Sequence, residues 1–90
     1  MYTGDDLAAL EAAVQAKPDD PDARRTLSLG LFAAGAHDQA LEHAVKLAIA
    51  YPEWEEGAGR DLCVKYFESL GHTHELSIKW VRKLQRALSV

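Results

Sequence analysis

Ninety residues, 48% hydrophobic and 27% charged with only 3 Pro and 6 Gly, are too apolar for a disordered chain and enough for one small core. No apolar run approaches the roughly 18 residues of a membrane span, and MYTGDDLAAL lacks the basic and apolar segments of a signal peptide. A net charge of −4 and a pI near 5.4 argue against a nucleic-acid partner, and the single cysteine, Cys63, excludes an internal disulfide.

Abundant Ala and Leu then point to a single all-α domain over 1–90, located in the cytoplasm. The first helix is expected from about Asp5 to Ala16, with Asp5 and Asp6 at its positive end and Leu7, Leu10 and Val14 on one stripe. Lys17-Pro18 ends it. Asp20 suits an N-cap, with Pro21 at the first helical position, and Ala23, Leu27, Leu31 and Ala34 share a face of the second helix up to Gly35. The third runs from about Asp38 to Ala50, buries Ala40, Leu41, Ala44, Leu47 and Ala48, and pairs Glu42 with Lys46 at i, i+4 before Tyr51-Pro52 breaks it.

A longer fourth helix is predicted from about Trp54 to Leu70, with Ala58, Leu62, Tyr66 and Leu70 on one stripe, Cys63 and Phe67 beside it, and Gly71 as its C-terminal cap. After Gly71-His72-Thr73-His74 the fifth helix, about Glu75 to Ser89, buries Leu76, Trp80, Leu84, Ala87 and Leu88. Trp80 is expected to plug it onto the fourth helix through Leu62 and Tyr66. Short connections make successive helices antiparallel neighbours, an antiparallel helix-turn-helix stack of about five helices.

The net charge hides a division. Residues 1–75 hold six basic and fourteen acidic side chains, a sum of −8, while 76–90 hold Lys79, Arg82, Lys83 and Arg86 and no acid. These four share the side of the last helix opposite its apolar stripe, and as the uncompensated positive surface of an acidic chain they are partner-binding candidates.

Pro18 and Pro52 stand 34 residues apart, the period of the tetratricopeptide helix-turn-helix repeat. Counting from Pro21, Leu27, Ser28, Leu31, Gly35, Ala40, Ala44, Leu47 and Pro52 follow that repeat's large, small, large, turn, small, medium, medium, stop pattern, although Arg24 stands where an aromatic is common. Small Ser28 and Ala40 would let the paired helices approach closely. Farther on, Trp54-x-x-Gly57-x-x-Arg60, Phe67-x-x-Leu70-Gly71, Leu76, Arg82 and Leu84 make the chain similar to the C-terminal helical domain of thioredoxin-like co-chaperones. In those bacterial proteins tetratricopeptide-like repeats follow a thioredoxin fold, which these residues do not themselves encode. The resemblance implies a protein-binding module that helps hold unfolded or oxidised clients and works with the chaperonin system. The competing expectation is a stand-alone helical adaptor or assembly factor unrelated to thioredoxin. Gly59 departs from the Ala expected there, a change that weakens a helix by about 1 kcal/mol.

No catalytic, cofactor-binding or metal-binding residues are identified, so an enzyme is not expected. Gly57-Ala58-Gly59 lacks the preceding strand and third glycine of a phosphate loop, and its glycines are expected to allow close packing against the third helix or its connection. His72, His74 and Glu75 crowd one turn without further ligands to complete a zinc site. His37 and His43, six apart, are expected on the surface, and Cys63 in the core. Glu55-Glu56 and Asp19-Asp20 suit helix starts. Leu29 and Phe32, with Asp22 and Arg25, project from the second helix away from Leu27 and Leu31, on the face that lines the ligand groove in tetratricopeptide arrays. Either the fourth helix covers them or they form an open binding groove, and unpaired apolar faces could equally be satisfied by self-association.

Overall fold

The computed structural model describes residues 4–88, and the side chains of 6–88. Five α-helices follow one another: α1 Gly4–Ala16, α2 Pro21–Ala33, α3 His37–Ala50, α4 Ala58–Leu70 and α5 Glu75–Leu88, with a 3-10 turn at Trp54–Glu56. The side chain of Asp5, and Ser89 at the expected end of the fifth helix, lie outside the described residues.

Local chemistry sets most boundaries. Asp20 caps α2 by accepting from the Asp22 amide at 3.0 Å, directly ahead of Pro21. Gly35 (φ 90°) closes α2: its amide donates to Phe32 O at 3.1 Å while Ala36 N donates to Leu31 O at 2.9 Å, the paired bonds of a Schellman turn. That turn leaves Ala34 in the cap and exposed, not on the buried face. Gly71 ends α4 with its amide on Phe67 O. His74 starts α5 by accepting from the Leu76 amide through Nδ1 at 3.1 Å, so one of the two clustered imidazoles is an N-cap.

The expected fourth helix splits. Glu55 (φ 45°, ψ 47°), Glu56 (φ 59°) and Gly57 (φ 92°) are consecutive left-handed residues, and regular helix begins only at Ala58. Two of the three carry side chains, for which this conformation costs about 1 kcal/mol each.

α3 is the centre of the stack. It packs against α2, α4 and α5, while α1 closes the other side of α2. Its Ala40, Leu41, Ala44 and Leu47 are fully buried, joined by Val45 and Ala48, and its outer face carries the Glu42–Lys46 pair at 3.7 Å. Ser28 and Ala40 meet at a close crossing: the Ser28 hydroxyl donates to Ala40 O at 2.6 Å. The hydroxyl of Tyr66 on α4 lies 2.9 Å from Ser28 Oγ and donates to it, because the Ser28 proton is already engaged. Burial raises the Tyr66 pKa despite the Ser28 bond. Gly59 fits where α4 crosses α3: a Cβ there would stand 2.7 Å from Ala48 N and 2.9 Å from Leu47 Cβ. The missing alanine is therefore a packing requirement rather than a defect. Gly57, in contrast, serves the turn.

Trp80 shares one buried cluster with Leu62 and Tyr66 of α4, but its polar edge is anchored on α3. α5 packs mainly on α3, and the Trp80 indole N–H donates to Asp38 Oδ1 at 2.7 Å in the first turn of α3. Ser77, not foreseen as core, is fully buried in α5, whereas Ala87 and Leu88 are exposed in its last turn. No helix among the described residues is long and apolar enough to cross a membrane.

Candidate functional site

The α2 face singled out from the sequence divides. Leu29 is 45% exposed, but Phe32 is half-buried, stacked on Tyr66 with ring centroids 4.2 Å apart and tilted against His37 at 4.4 Å. α4 therefore covers Phe32 in part and leaves Leu29 open.

Leu29 lies in a groove of about 420 Å³ between α2 and α4, walled by Arg25, Thr26, Ala58, Asp61, Leu62 and Lys65. The helical spacing of 25, 26 and 29 on one helix and 58, 61, 62 and 65 on the other puts both sets on facing stripes. Leu29 and Leu62 give the groove an apolar floor, and Arg25, Asp61 and Lys65 give it charges of both signs. Asp61 and Lys65 escaped the sequence reading, although their i, i+4 placement off the Leu62–Tyr66 stripe marks them as one exposed face of α4.

Arg25 is held rigidly. Its two terminal nitrogens donate to Asp22 Oδ1 and Glu55 Oε2, each at 2.7 Å, and its guanidinium carbon lies 4.8 Å from the Trp54 ring centroid. Asp22 is thus a positioning group for Arg25, and the left-handed turn delivers the Glu55 carboxylate to the same cation.

The basic side of α5 is also divided. Lys79 pairs with Asp38 at 3.1 Å, and both Lys79 and Lys83 sit over the Trp80 ring, at 4.9 and 4.6 Å. The Trp80 N–H and then Lys79 hold the Asp38 carboxyl below its ordinary pKa. Lys79 therefore links α5 to α3, while Lys83 packs on Trp80 within α5. Arg82 and Arg86 are exposed, with no ion pair among the described residues.

The histidines depart from expectation as well. His43 is half-buried, and its Nδ1 accepts from Arg24 Nη1 at 2.9 Å, which places the ring proton on Nε2. Arg24 also donates to Pro18 O at 3.3 Å, so the residue standing in place of an aromatic bridges α2, α3 and the first loop. Burial, then Arg24, lowers the His43 pKa. Among the described residues no three His, Cys, Asp or Glu side chains gather as a metal site. Cys63 is fully buried and its pKa is pushed up to about 12, so it remains an unreactive thiol at neutral pH.

A groove with an apolar floor, a fixed cation and mixed charge, built from two neighbouring helices, suits a segment of another protein better than a reacting small molecule. Neither the curated proteins nor the solved structures contain a match to the chain. The family model described as tetratricopeptide repeat matches residues 2–88, so the chain belongs to the tetratricopeptide repeat family, whose helix pairs generally mediate protein–protein interaction.

Proposed function

We propose that the chain is a non-catalytic protein-binding module that seats a segment of its partner in the groove between α2 and α4. The observation that carries this reading is the meeting of exposed Leu29 and immobilised Arg25 on α2 with Asp61 and Lys65 on α4. The partner's apolar side chain takes Leu29 and Leu62 as its floor, and its polar groups meet the charged walls. At the finer level we propose a role like that of the C-terminal domain of thioredoxin-like co-chaperones: it holds unfolded clients and engages the chaperonin system. The W-x-x-G-x-x-R and F-x-x-L-G segments support this role, and Arg82 and Lys83 on the basic side of α5 would steer acidic partners.

The test uses reduced, unfolded α-lactalbumin as client and purified chaperonin as second partner. Aggregation of the client is followed by light scattering and chaperonin binding by surface plasmon resonance. Leu29→Asp, at an exposed position, should abolish suppression of aggregation while leaving the melting temperature unchanged. Arg82→Glu with Lys83→Glu should weaken chaperonin capture, and wild-type capture should fall as salt rises. Full activity of Leu29→Asp would remove the groove from the binding surface, and absence of both activities in the wild type would refute the co-chaperone role.

A further inference from the structure

Of the five large apolar side chains that are exposed among the described residues, three belong to one end of the molecule: Val64 on α4, and Ile78 and Leu88 on α5. Val64 and Leu88 line a trench of about 410 Å³ between α4 and α5, floored by Phe67, Val81 and Leu84 and bordered by Arg60 and Gln85. Ile78 stands three residues before Val81 and seven before Gln85, so it continues the same stripe of α5 toward its start. The trench is distinct from the α2–α4 groove, because it uses the opposite side of α4.

Charge identifies what fits it. Arg60 is the charged residue of the lining itself, and exposed Arg82 follows lining Val81 by one position, about 100° around α5, which puts it on the solvent flank of the trench. Arg60 on the α4 wall and Arg82 on the α5 flank thus set two cations beside an apolar floor whose lining holds no acid. A second copy of the chain fits poorly. Pairing two α5 helices would bring together two segments that each hold four basic and no acidic residues over 76–90, and like charges at an interface oppose association. The exposed apolar side chains of α1 are all alanines, Ala8, Ala9, Ala12, Ala13 and Ala16, too little apolar surface to fill a floor of Phe, Leu and Val.

We propose that the trench between α4 and α5 is a second protein-binding surface that takes an amphipathic helix of a partner protein, apolar on one stripe and acidic beside it. α4 and α5 have 13 and 14 residues, so their walls extend about 20 Å and accommodate three to four turns of helix. The apolar stripe of the partner lies on Phe67, Val81, Leu84 and Leu88, and its carboxylates face Arg60 and Arg82. This inference rests on the chain being a protein-binding module but not on the α2–α4 groove being its ligand site.

The probe is a fluorescein-labelled designed peptide of about four helical turns, with leucines at i, i+3, i+4 and i+7 spacing and glutamates flanking them. A second peptide keeps the leucines and replaces every glutamate with lysine. Fluorescence anisotropy should show the acidic peptide binding at least about tenfold more tightly than the basic one, with a preference that shrinks as salt rises. Val64→Glu and Leu88→Glu change exposed positions and should each weaken the acidic peptide about tenfold or more. Arg82→Glu should erase most of the discrimination between peptides, and Leu29→Asp, in the other groove, should change nothing. Circular dichroism melts check that each variant is folded, and Leu88→Ala serves if the charged variants are not. Equal binding of the two peptides, or undiminished binding by folded Val64 and Leu88 variants, would overturn the proposal. So would sedimentation showing that the wild-type chain dimerises and that Leu88→Glu makes it monomeric, because the trench would then belong to a second copy.

Discussion

Gly59→Ala separates two effects of opposite sign. In an exposed helix the change stabilises by about 1 kcal/mol, because glycine gives up more backbone freedom on folding. Here the new methyl would lie 2.7 Å from Ala48 N, 2.8 Å from Leu47 C and 2.9 Å from Leu47 Cβ. Two of those atoms are backbone of α3 and cannot rotate away, so relief requires α4 to move outward by several tenths of an ångström or more. That movement would loosen the neighbouring contacts of Leu62, Cys63 and Tyr66. Overpacking of this kind costs about 1–3 kcal/mol, and rigid backbone neighbours place it toward the upper end. The propensity gain offsets only part, leaving a net loss of about 1–2 kcal/mol. For a domain of this size that corresponds to a fall in Tm of roughly 4–16 °C, measurable by circular dichroism or calorimetry. An unchanged or raised Tm would show that the α3–α4 crossing yields without cost and that Gly59 is no spacing requirement.

Asp38→Ala leaves the Trp80 indole N–H without its acceptor and should cost about 1–3 kcal/mol, whereas Asp38→Asn, which keeps a side-chain oxygen, should cost less. Because the folded-state pKa of Asp38 is depressed, its contribution is present above the unfolded value near 3.8 and is lost as pH falls through the folded value; Asp38→Ala should therefore flatten the acid limb of a stability–pH curve. His43 also has a lowered folded pKa, with Arg24 and Lys46 opposing its protonation and Glu42 and Glu11 favouring it. The unfolded chain therefore binds the proton first, and stability should decline as pH falls below about 6.5 and level off under the folded pKa; His43→Gln should remove that step from denaturant midpoints measured across the range. Ser77 is fully buried, and its hydroxyl has no hydrogen-bond partner among the described residues. Ser77→Ala should therefore leave Tm unchanged or raise it, and a loss above about 1 kcal/mol would reveal a bond to that oxygen.

Helix order, the Asp20 cap, the Gly35 stop and the α3 core were legible because each depends on residues close in sequence: a cap and its amide, a turn and its glycine, a stripe at helical spacing. The misread features depend on residues far apart. The start of α4 fails because Glu55 is held left-handed beside Arg25, thirty positions earlier. The anchoring of Trp80 on α3 is not legible because its polar end finds Asp38, forty-two positions away. His43 is half-buried through Arg24, whose departure from the usual aromatic signalled a changed contact without naming its partner. In the candidate site, Leu29 and Arg25 were legible as an outward face, while Asp61 and Lys65 required knowing that α4 lies across from them.

The repeat pattern is readable for the same physical reason that the partner is not. Its small residues fix distances: Ser28 against Ala40 sets the approach of α2 to α3, and Gly59 against Ala48 and Leu47 sets that of α4 to α3. A side chain at these positions answers to one neighbour at fixed separation, so few residue types serve and the pattern survives in sequence. On the proposed function, residues on the groove walls answer to a ligand instead. Arg25 also answers to Asp22, Glu55 and Trp54, but Asp61 and Lys65 satisfy the fold as other polar side chains would, and on that function their identity is set by what binds between them. The trench beyond α4 carries a stronger signal than either. Its Val64, Ile78 and Leu88 leave apolar surface exposed along α4 and α5, and the proposed partner helix would cover it.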